Sequence, residues 1–235
     1  MATQTVTRGG KPGPMTPATP PVGISPPKPS SGDRALAWIK AHRQLSSWLG
    51  TAIVVAAVLF VWQLSIGRRE EEIASRDLQG ARFAFENQNL PLAASELAKV
   101  VENHSGTNAA SEARLLLANV RLLQGQPQQA VQVLLDYAPK AGKAYRSQAY
   151  ELLGSAYENL GRARDAAEAY ESGATAARLD FQKAQLLSDA GRAWTTAADT
   201  ARAVADYRRI VKDFGKQGNV TEAKVRLAEL TRGAM

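Results

Sequence analysis

Leu153 to Tyr170 reads LGSAYENLGRARDAAEAY, and two glycines interrupt an otherwise helix-forming run. A glycine in a helix interior costs roughly 1 kcal/mol relative to alanine, so Gly154 and Gly161 need a reason. Their recurrence supplies it. Gly125 and Gly161 are 36 residues apart, as are Ala130 and Ala166, and Leu134 and Tyr170. One unit later, Gly154 and Gly191, Tyr157 and Trp194, Ala166 and Ala203, and Tyr170 and Tyr207 are each 37 apart. Ala93 and Leu97 precede Ala130 and Leu134 by 37. A period in the mid-thirties, with two helices per unit, signals a helical solenoid.

The expected fold is therefore all-α, a stack of helical hairpins from Arg68 onward. Gly154, lacking Cβ, lets the two helices of a unit approach closely. Gly161 ends the first helix, where a left-handed residue suits the turn. Ala130, Ala166 and Ala203 are the small partners at the crossings, and Tyr157, Tyr170, Trp194 and Tyr207 fill the space between helices. Pro91, Pro127 and Pro139 fall at turns or first helical positions. The final GNVTEAKVRLAEL, with Thr221 as cap and Val225, Leu227 and Leu230 as apolar face, reads as the closing helix a solenoid needs.

Upstream the composition changes twice. Residues 1–32 carry eight of the eleven prolines and few large apolar side chains. They bury too little surface to offset the entropy of ordering, so residues 1–34 are expected to be a disordered tail. Gln44 to Gly67 carries no charge over 24 residues. As a helix it spans ~36 Å, against a hydrocarbon core of ~30 Å. Trp48 and Trp62 lie near its ends, where indole rings favour the interface. No small-x-small cleavage site follows, so residues 35–67 are expected to form a lead-in and a single uncleaved transmembrane helix. Four Lys/Arg flank it on each side: Lys28, Arg34, Lys40 and Arg43 before, and Arg68, Arg69, Arg76 and Arg82 after. The tie is broken by Glu70–Glu72 and by the length of the downstream domain, which translocates largely regardless of charge. The expected orientation places the tail in the cytoplasm and residues 68–235 outside it.

The formal net charge is +7, but residues 1–43 hold six Lys/Arg against one acid, while residues 68–235 hold 23 against 21. The folded part thus lacks the gathered basic face that nucleic-acid binding needs. There is no cysteine, which excludes disulfides, thiolate zinc sites and a cysteine nucleophile. The two histidines, His42 and His104, lack metal-ligand spacing. His104 falls at a helix end, where positive charge is favoured. RREEE at Arg68–Glu72 reads as a solvated charged face, and GGK at Gly9–Lys11 lacks the remainder of a phosphate loop. No enzyme, metal or cofactor is expected.

The repeat resembles the tetratricopeptide repeat: Tyr150, Leu153–Gly154, Tyr157, Gly161, Ala166 and Tyr170 in the best unit. Leu187, Gly191, Trp194, Ala203 and Tyr207 follow, with Ala198 where the turn glycine should be. The unit at 111–146 keeps Leu117, Gly125, Ala130 and Leu134 but has Ala118 and Arg121 at the first glycine and aromatic. The preceding unit keeps only Ala93 and Leu97. The resemblance implies a protein-binding groove lined by the first helix of each unit, carrying Leu115, Asn119 and Leu122, then Glu151, Ser155 and Glu158, then Ser188 and Arg192. The lysines of the carboxylate-clamp subgroup are replaced by Leu115, Glu151 and Ser188.

The whole layout, from DRALAWIKAHR through the apolar span to ARFAFENQN and the alanine-rich repeats, resembles the YfgM-type ancillary subunits of the bacterial Sec translocon. That resemblance implies a single-pass inner-membrane protein whose periplasmic repeats contact translocon subunits, periplasmic chaperones or emerging substrates. An envelope-assembly scaffold, serving outer-membrane insertion or cell-wall machinery, is the alternative.

Overall fold

The computed structural model describes residues 30–41, 43–217 and 219–231, and among these every regular element is a helix. In chain order they are α1 (Ser31–Ala41), α2 (Arg43–Glu86), α3 (Leu90–Asn103), α4 (Asn108–Leu123), α5 (Pro127–Leu134), a 3-10 turn (Ala138–Lys140), α6 (Arg146–Asn159), α7 (Ala163–Ala176), α8 (Asp180–Thr196), α9 (Thr200–Asp213) and α10 (Val220–Thr231). The expected disordered tail lies, up to residue 29, outside the described residues, and α1 begins at Ser31. The chain divides into two units, Met1–Val58 and Leu59–Met235. Among the described residues one helix, α2, is long and apolar enough to cross a membrane by length and composition, and its side chains from Thr51 to Gln63 are exposed.

The second unit is a solenoid of four hairpins, and its turns explain the period. The first helix of each hairpin ends with a left-handed residue: Gln88 (φ 59°), Gly125 (φ 68°), Gly161 (φ 70°) and Ala198 (φ 58°). Each has the same two closing bonds. At Gly161 they are Gly161 N–H to Glu158 O (2.9 Å) and Arg162 N–H to Tyr157 O (2.9 Å). At Ala198 they are Ala198 N–H to Thr195 O (3.1 Å) and Asp199 N–H to Trp194 O (2.9 Å). This is the Schellman arrangement, which satisfies carbonyls the helix leaves orphaned. The geometry is kept even where Gln88 and Ala198 must adopt a conformation costing roughly 1–2 kcal/mol for a residue with Cβ.

Packing within a hairpin turns on the glycine the repeat supplies. A Cβ built on Gly154 would lie 2.6 Å from the Tyr170 ring, and one on Gly191 would lie 2.8 Å from the Tyr207 ring. The phenol of the second helix therefore lies on the bare backbone of the first. The equivalent pairs in the earlier hairpins are Ala81 with Leu97 and Ala118 with Leu134, all four fully buried. A slightly larger residue on one helix accompanies a smaller one on the other. Ala93, Ala130, Ala166 and Ala203 are each 0% exposed, as the crossing requires. Pro91 and Pro127 sit in the first positions of α3 and α5, where a missing N–H costs nothing.

Two apolar clusters result. One joins α2, α3 and α4 through Leu78, Ala81, Leu97, Val100, Leu117 and Val120. The other runs from α4 to α10 through Leu134, Leu153, Tyr170, Leu187, Trp194, Tyr207 and Leu227. Helix α4 belongs to both. At the C-terminal end, α10 buries Val220, Ala223 and Leu227. Thr221 is not its cap but an exposed residue inside the helix, and Val225 is 53% exposed rather than part of the apolar face.

The RREEE run differs most from the sequence reading. Glu71 is not solvated charge. Its carboxylate accepts from Asn108 N–H (2.8 Å) and Ala109 N–H (2.9 Å), and Thr107 Oγ1 accepts from Ala110 N–H (3.0 Å). The first three N–H groups of α4 are thus all satisfied, and the carboxylate also complements the positive end of that helix. Glu70 meets His104, the C-cap of α3.

The Gly154–Tyr170 contact predicts a pair of opposite effects. Gly154→Ala places a methyl 2.6 Å from the phenol ring and should destabilise the protein by roughly 1–3 kcal/mol. Ala198→Gly relieves a left-handed turn residue and should stabilise by roughly 1 kcal/mol. Chemical denaturation midpoints of the two variants should move in opposite directions. A midpoint unmoved by Gly154→Ala would remove the close approach from the account of this fold.

Candidate functional site: the face of the first helices

The first helices of consecutive hairpins, α2, α4, α6 and α8, carry a chain of three adjoining clefts. The first, about 710 Å³, is walled by Arg82, Phe85 and Glu86 of α2, Glu112, Leu115, Leu116 and Asn119 of α4, and Tyr145, Gln148 and Leu152 at α6. The second, about 730 Å³, shares Gln148 with the first and adds Lys143, Ser147, Glu151, Arg178, Leu179 and Gln182. The third, about 580 Å³, shares Glu151 and Gln182 with the second and adds Phe181, Gln185, Leu186, Gln217 and Asn219. Glu112, Gln148 and Gln185 occupy one repeating position, since they are spaced by the same 36 and 37 residues as the core.

The chemistry of this face is amide-rich and of mixed charge. Asn119, Gln148, Gln182, Gln185, Gln217 and Asn219 each offer a carbonyl acceptor and an NH2 donor. The Nδ2 of Asn219 is buried and makes no hydrogen bond. Arg82 pairs with Glu112 across the first cleft. The Glu151 carboxyl is raised above its ordinary range, first because the cleft walls strip it of water and second because Asp189 faces it. Burial likewise raises the Tyr145 phenol, with Glu112 adding to the effect. Leu179 and Phe181 stay 53% and 58% exposed beside these polar groups.

The eight residues singled out from the sequence separate into three groups. Leu115 and Ser188 are buried (4% and 6% exposed), and Leu122 packs half-buried against the core. Their side chains serve packing, Leu115 also forming the floor of the first cleft. Asn119 and Glu151 open into the clefts. Tyr170 bridges Ser155 and Glu158, and Arg192 pairs with Glu158 directly. The Tyr170 hydroxyl lies 3.2 Å from Ser155 Oγ and donates to Glu158 Oε2 at 2.8 Å. Arg192 donates to Glu158 (2.6 Å) and Asp189 (3.0 Å). Burial is the largest influence on the Tyr170 phenol and drives its pKa well upward, and the Asp189 and Glu158 carboxylates hold Arg192 charged against the opposing effect of burial. This network ties α6, α7 and α8 together.

Of the cleft residues that sequence reasoning missed, Gln148 and Gln185 lie about one turn N-terminal to the inferred row, Gln182 and Phe181 about two turns, and Phe85 lies on α2, where no row was inferred. The available signal was the repeat spacing itself, which links Glu112, Gln148 and Gln185 as plainly as it links the glycines. Among the described residues, no group of three or more His, Asp or Glu side chains is placed to hold a metal ion.

The tetratricopeptide repeat-like domain family matches residues 70–188, just over half of the chain. The chain belongs to that family. Two structures of nearly identical TPR-like repeats from a Podosopora anserina kinesin light chain, one of them a point variant, align with a TM-score of 0.53. Each is 20% identical, and the alignment covers 68% of this chain and 87% of the other. At that identity the likeness concerns the fold. No curated protein matches the chain. The repeats make it a protein-interaction module.

The second helices carry one buried acid with a measurable consequence. Asp206 of α9 is 7% exposed, and its Oδ2 makes no hydrogen bond. Burial, reinforced by Glu171 and opposed by Arg209 and Arg202, pushes its carboxyl up to about 7. An unfolded aspartate titrates near ~3.9. Between those values the folded chain holds a proton that the unfolded chain has lost, so this contribution to stability is lost as pH rises through the window. Asp206→Asn should therefore raise the melting point clearly at pH 8, by the equivalent of roughly 1–3 kcal/mol, and little at pH 3, below both values. Equal shifts at both pH values would show that the carboxyl is not held protonated.

Proposed function

We propose that the chain is a membrane-anchored interaction module of the bacterial envelope, with residues 68–235 on the periplasmic side of the inner membrane and the N-terminus in the cytoplasm. Its role is ancillary to the Sec translocon: the clefts along α2, α4, α6 and α8 receive an extended segment of a translocon subunit, a periplasmic chaperone or an emerging substrate. The observation that carries this reading is the amide-rich cleft series. Glutamine and asparagine side chains pair with the N–H and C=O groups of any extended polypeptide, whatever its sequence. Leu179, Phe181 and Leu116 supply apolar contact beside them. The uncharged span from Gln44 to Gly67 and the layout of the chain support the membrane and translocon parts of the proposal. An envelope-assembly scaffold would use the same face, so the identity of the partner separates the two readings.

Gln148, Gln182 and Gln185 are all exposed, so replacing the three with alanine should leave the melting point nearly unchanged, since surface changes usually cost within ~0.5 kcal/mol each. Copurification of the membrane partner should nevertheless fall at least tenfold. A matched triple change on the second helices, Gln129, Arg164 and Arg208 to alanine, should leave it intact. A photo-crosslinker at Gln148 in intact cells then names the partner. Adducts to translocon subunits, chaperones or secreted chains support the proposal. Adducts only to outer-membrane insertion or cell-wall proteins favour the scaffold reading.

Topology is tested independently. Protease added to spheroplasts should digest residues 68–235. Digestion that occurs only after lysis would reverse the orientation.

A further inference from the structure

The corner where α3 passes into α4 holds a device that the cleft chemistry does not use. The His104 side chain is 11% exposed and lies between two carboxylates of α2. Its Nδ1 is 2.7 Å from Glu70 Oε1, and its Nε2 is 3.1 Å from Asp77 Oδ2. A neutral imidazole has one N–H and one lone pair, so it serves one of these acceptors and repels the other. The imidazolium donates to both. Glu70 and Asp77 are seven residues apart, two turns along one face of α2. Beside them, Glu71 holds the N–H groups of Asn108 and Ala109 at 2.8 and 2.9 Å.

We propose that His104 is a proton-sensitive lock: while both ring nitrogens are protonated it pins the Glu70–Asp77 stretch of α2 to the α3–α4 corner, and so steadies the wall of the first cleft that Arg82, Phe85 and Glu86 provide. The charged groups around the corner are accounted for. From α2 they are Glu70, Glu71 and Asp77, while Arg68 and Arg69 are exposed and Glu72 and Arg76 pair with each other on its exposed side. On α3, Glu96 and Lys99 pair with each other at 2.8 Å, and Glu102 is exposed. On α4, Glu112 pairs with Arg82. The hydrogen bond to Glu70 is the largest influence on the ring and raises its pKa above the ordinary 6.5. The Asp77 bond adds to the rise, and partial burial opposes it. A base whose folded pKa is raised gives stability that is complete below its unfolded value. That stability is lost as pH rises through the folded value. The lock is closed in mildly acidic surroundings and loosens in alkaline ones. The core contacts of Ala74, Leu78, Ala81 and Ala84 keep α2 helical in both states.

Hydrogen exchange on the full-length protein in nanodiscs tests this. Protection factors, referred to the intrinsic exchange rate at each pH, are measured at pH 6 and pH 9. Amides of residues 68–79 and 107–111 should lose protection by roughly three- to tenfold, the equivalent of one lost net hydrogen bond. Amides of α8 and α9 should not change. In His104→Gln the pH dependence at the corner should disappear. An unchanged pH dependence in that variant overturns the proposal. A second measurement stands even if the variant folds poorly. The chain has only two histidines, so His42→Gln assigns the ring signals of His104 by NMR. A His104 midpoint above 6.5 that falls in Glu70→Gln supports the lock. A midpoint at or below 6.5 overturns it.

Discussion

The phenol of Tyr170 lying on Gly154 sets the geometry of the best hairpin, and the same contact recurs between Tyr207 and Gly191. A methyl on either glycine would intrude by far more than packed atoms tolerate. The separation of the two helices is therefore fixed by the absence of a Cβ on one and the thickness of a ring on the other. In the first two hairpins alanine and leucine share that space instead. The repeat conserves a combined volume rather than a residue, as close packing demands.

The same contact carries the site. Because its ring crosses the backbone of α6 at Gly154, the Tyr170 hydroxyl emerges on the far side, within reach of Ser155 and Glu158. Glu158 then takes Arg192 from the next hairpin, and Arg192 takes Asp189. A packing requirement thus becomes a polar tie between neighbouring units, joining α6 and α8, two of the helices that carry the clefts. A leucine at this position would satisfy the volume and lose the tie. Trp194 of α8 makes a comparable link to the second helices, its Nε1 donating to Glu171 of α7 at 2.7 Å and its face receiving Arg202 of α9 at 4.4 Å.

What was legible in the sequence follows from this division. The glycine, alanine and aromatic rows have residue types that few environments accept, so their spacing exposed the solenoid and the third and fourth hairpins. The first hairpin was nearly invisible because its parts are ordinary residues. Ala81 and Leu97 fill the crossing, and Gln88 takes the left-handed turn position without a glycine to announce it. The inferred row met the clefts only at Leu115, Asn119 and Glu151. Positions such as Ser188 look polar enough for a surface, yet Ser188 lies on the buried side of α8, 6% exposed. Charge patterning misled at RREEE, since a run of acids does not reveal that Glu71 will meet a helix terminus 37 residues away.

In a solenoid each hairpin gains stability from both neighbours, and a terminal helix gains it from one side only. At the C-terminal end the deficit is met with apolar burial, by Val220, Ala223 and Leu227 of α10. At the α2 end it is met differently. Ile73 and Phe83 remain exposed on its outer side, and α2 is held on its inner side by alanine-rich contacts that bury little area per residue. Glu70, Glu71 and Asp77 add charge-assisted bonds there, to an imidazole and to the open N–H groups of a helix. Such bonds are stronger than neutral ones, and the two to His104 depend together on the ring's second proton. Apolar burial has no comparable dependence. The end of the stack that contributes Arg82, Phe85 and Glu86 to the first cleft is therefore the one whose attachment is tuned by the proton on His104, while α10 is held by apolar burial.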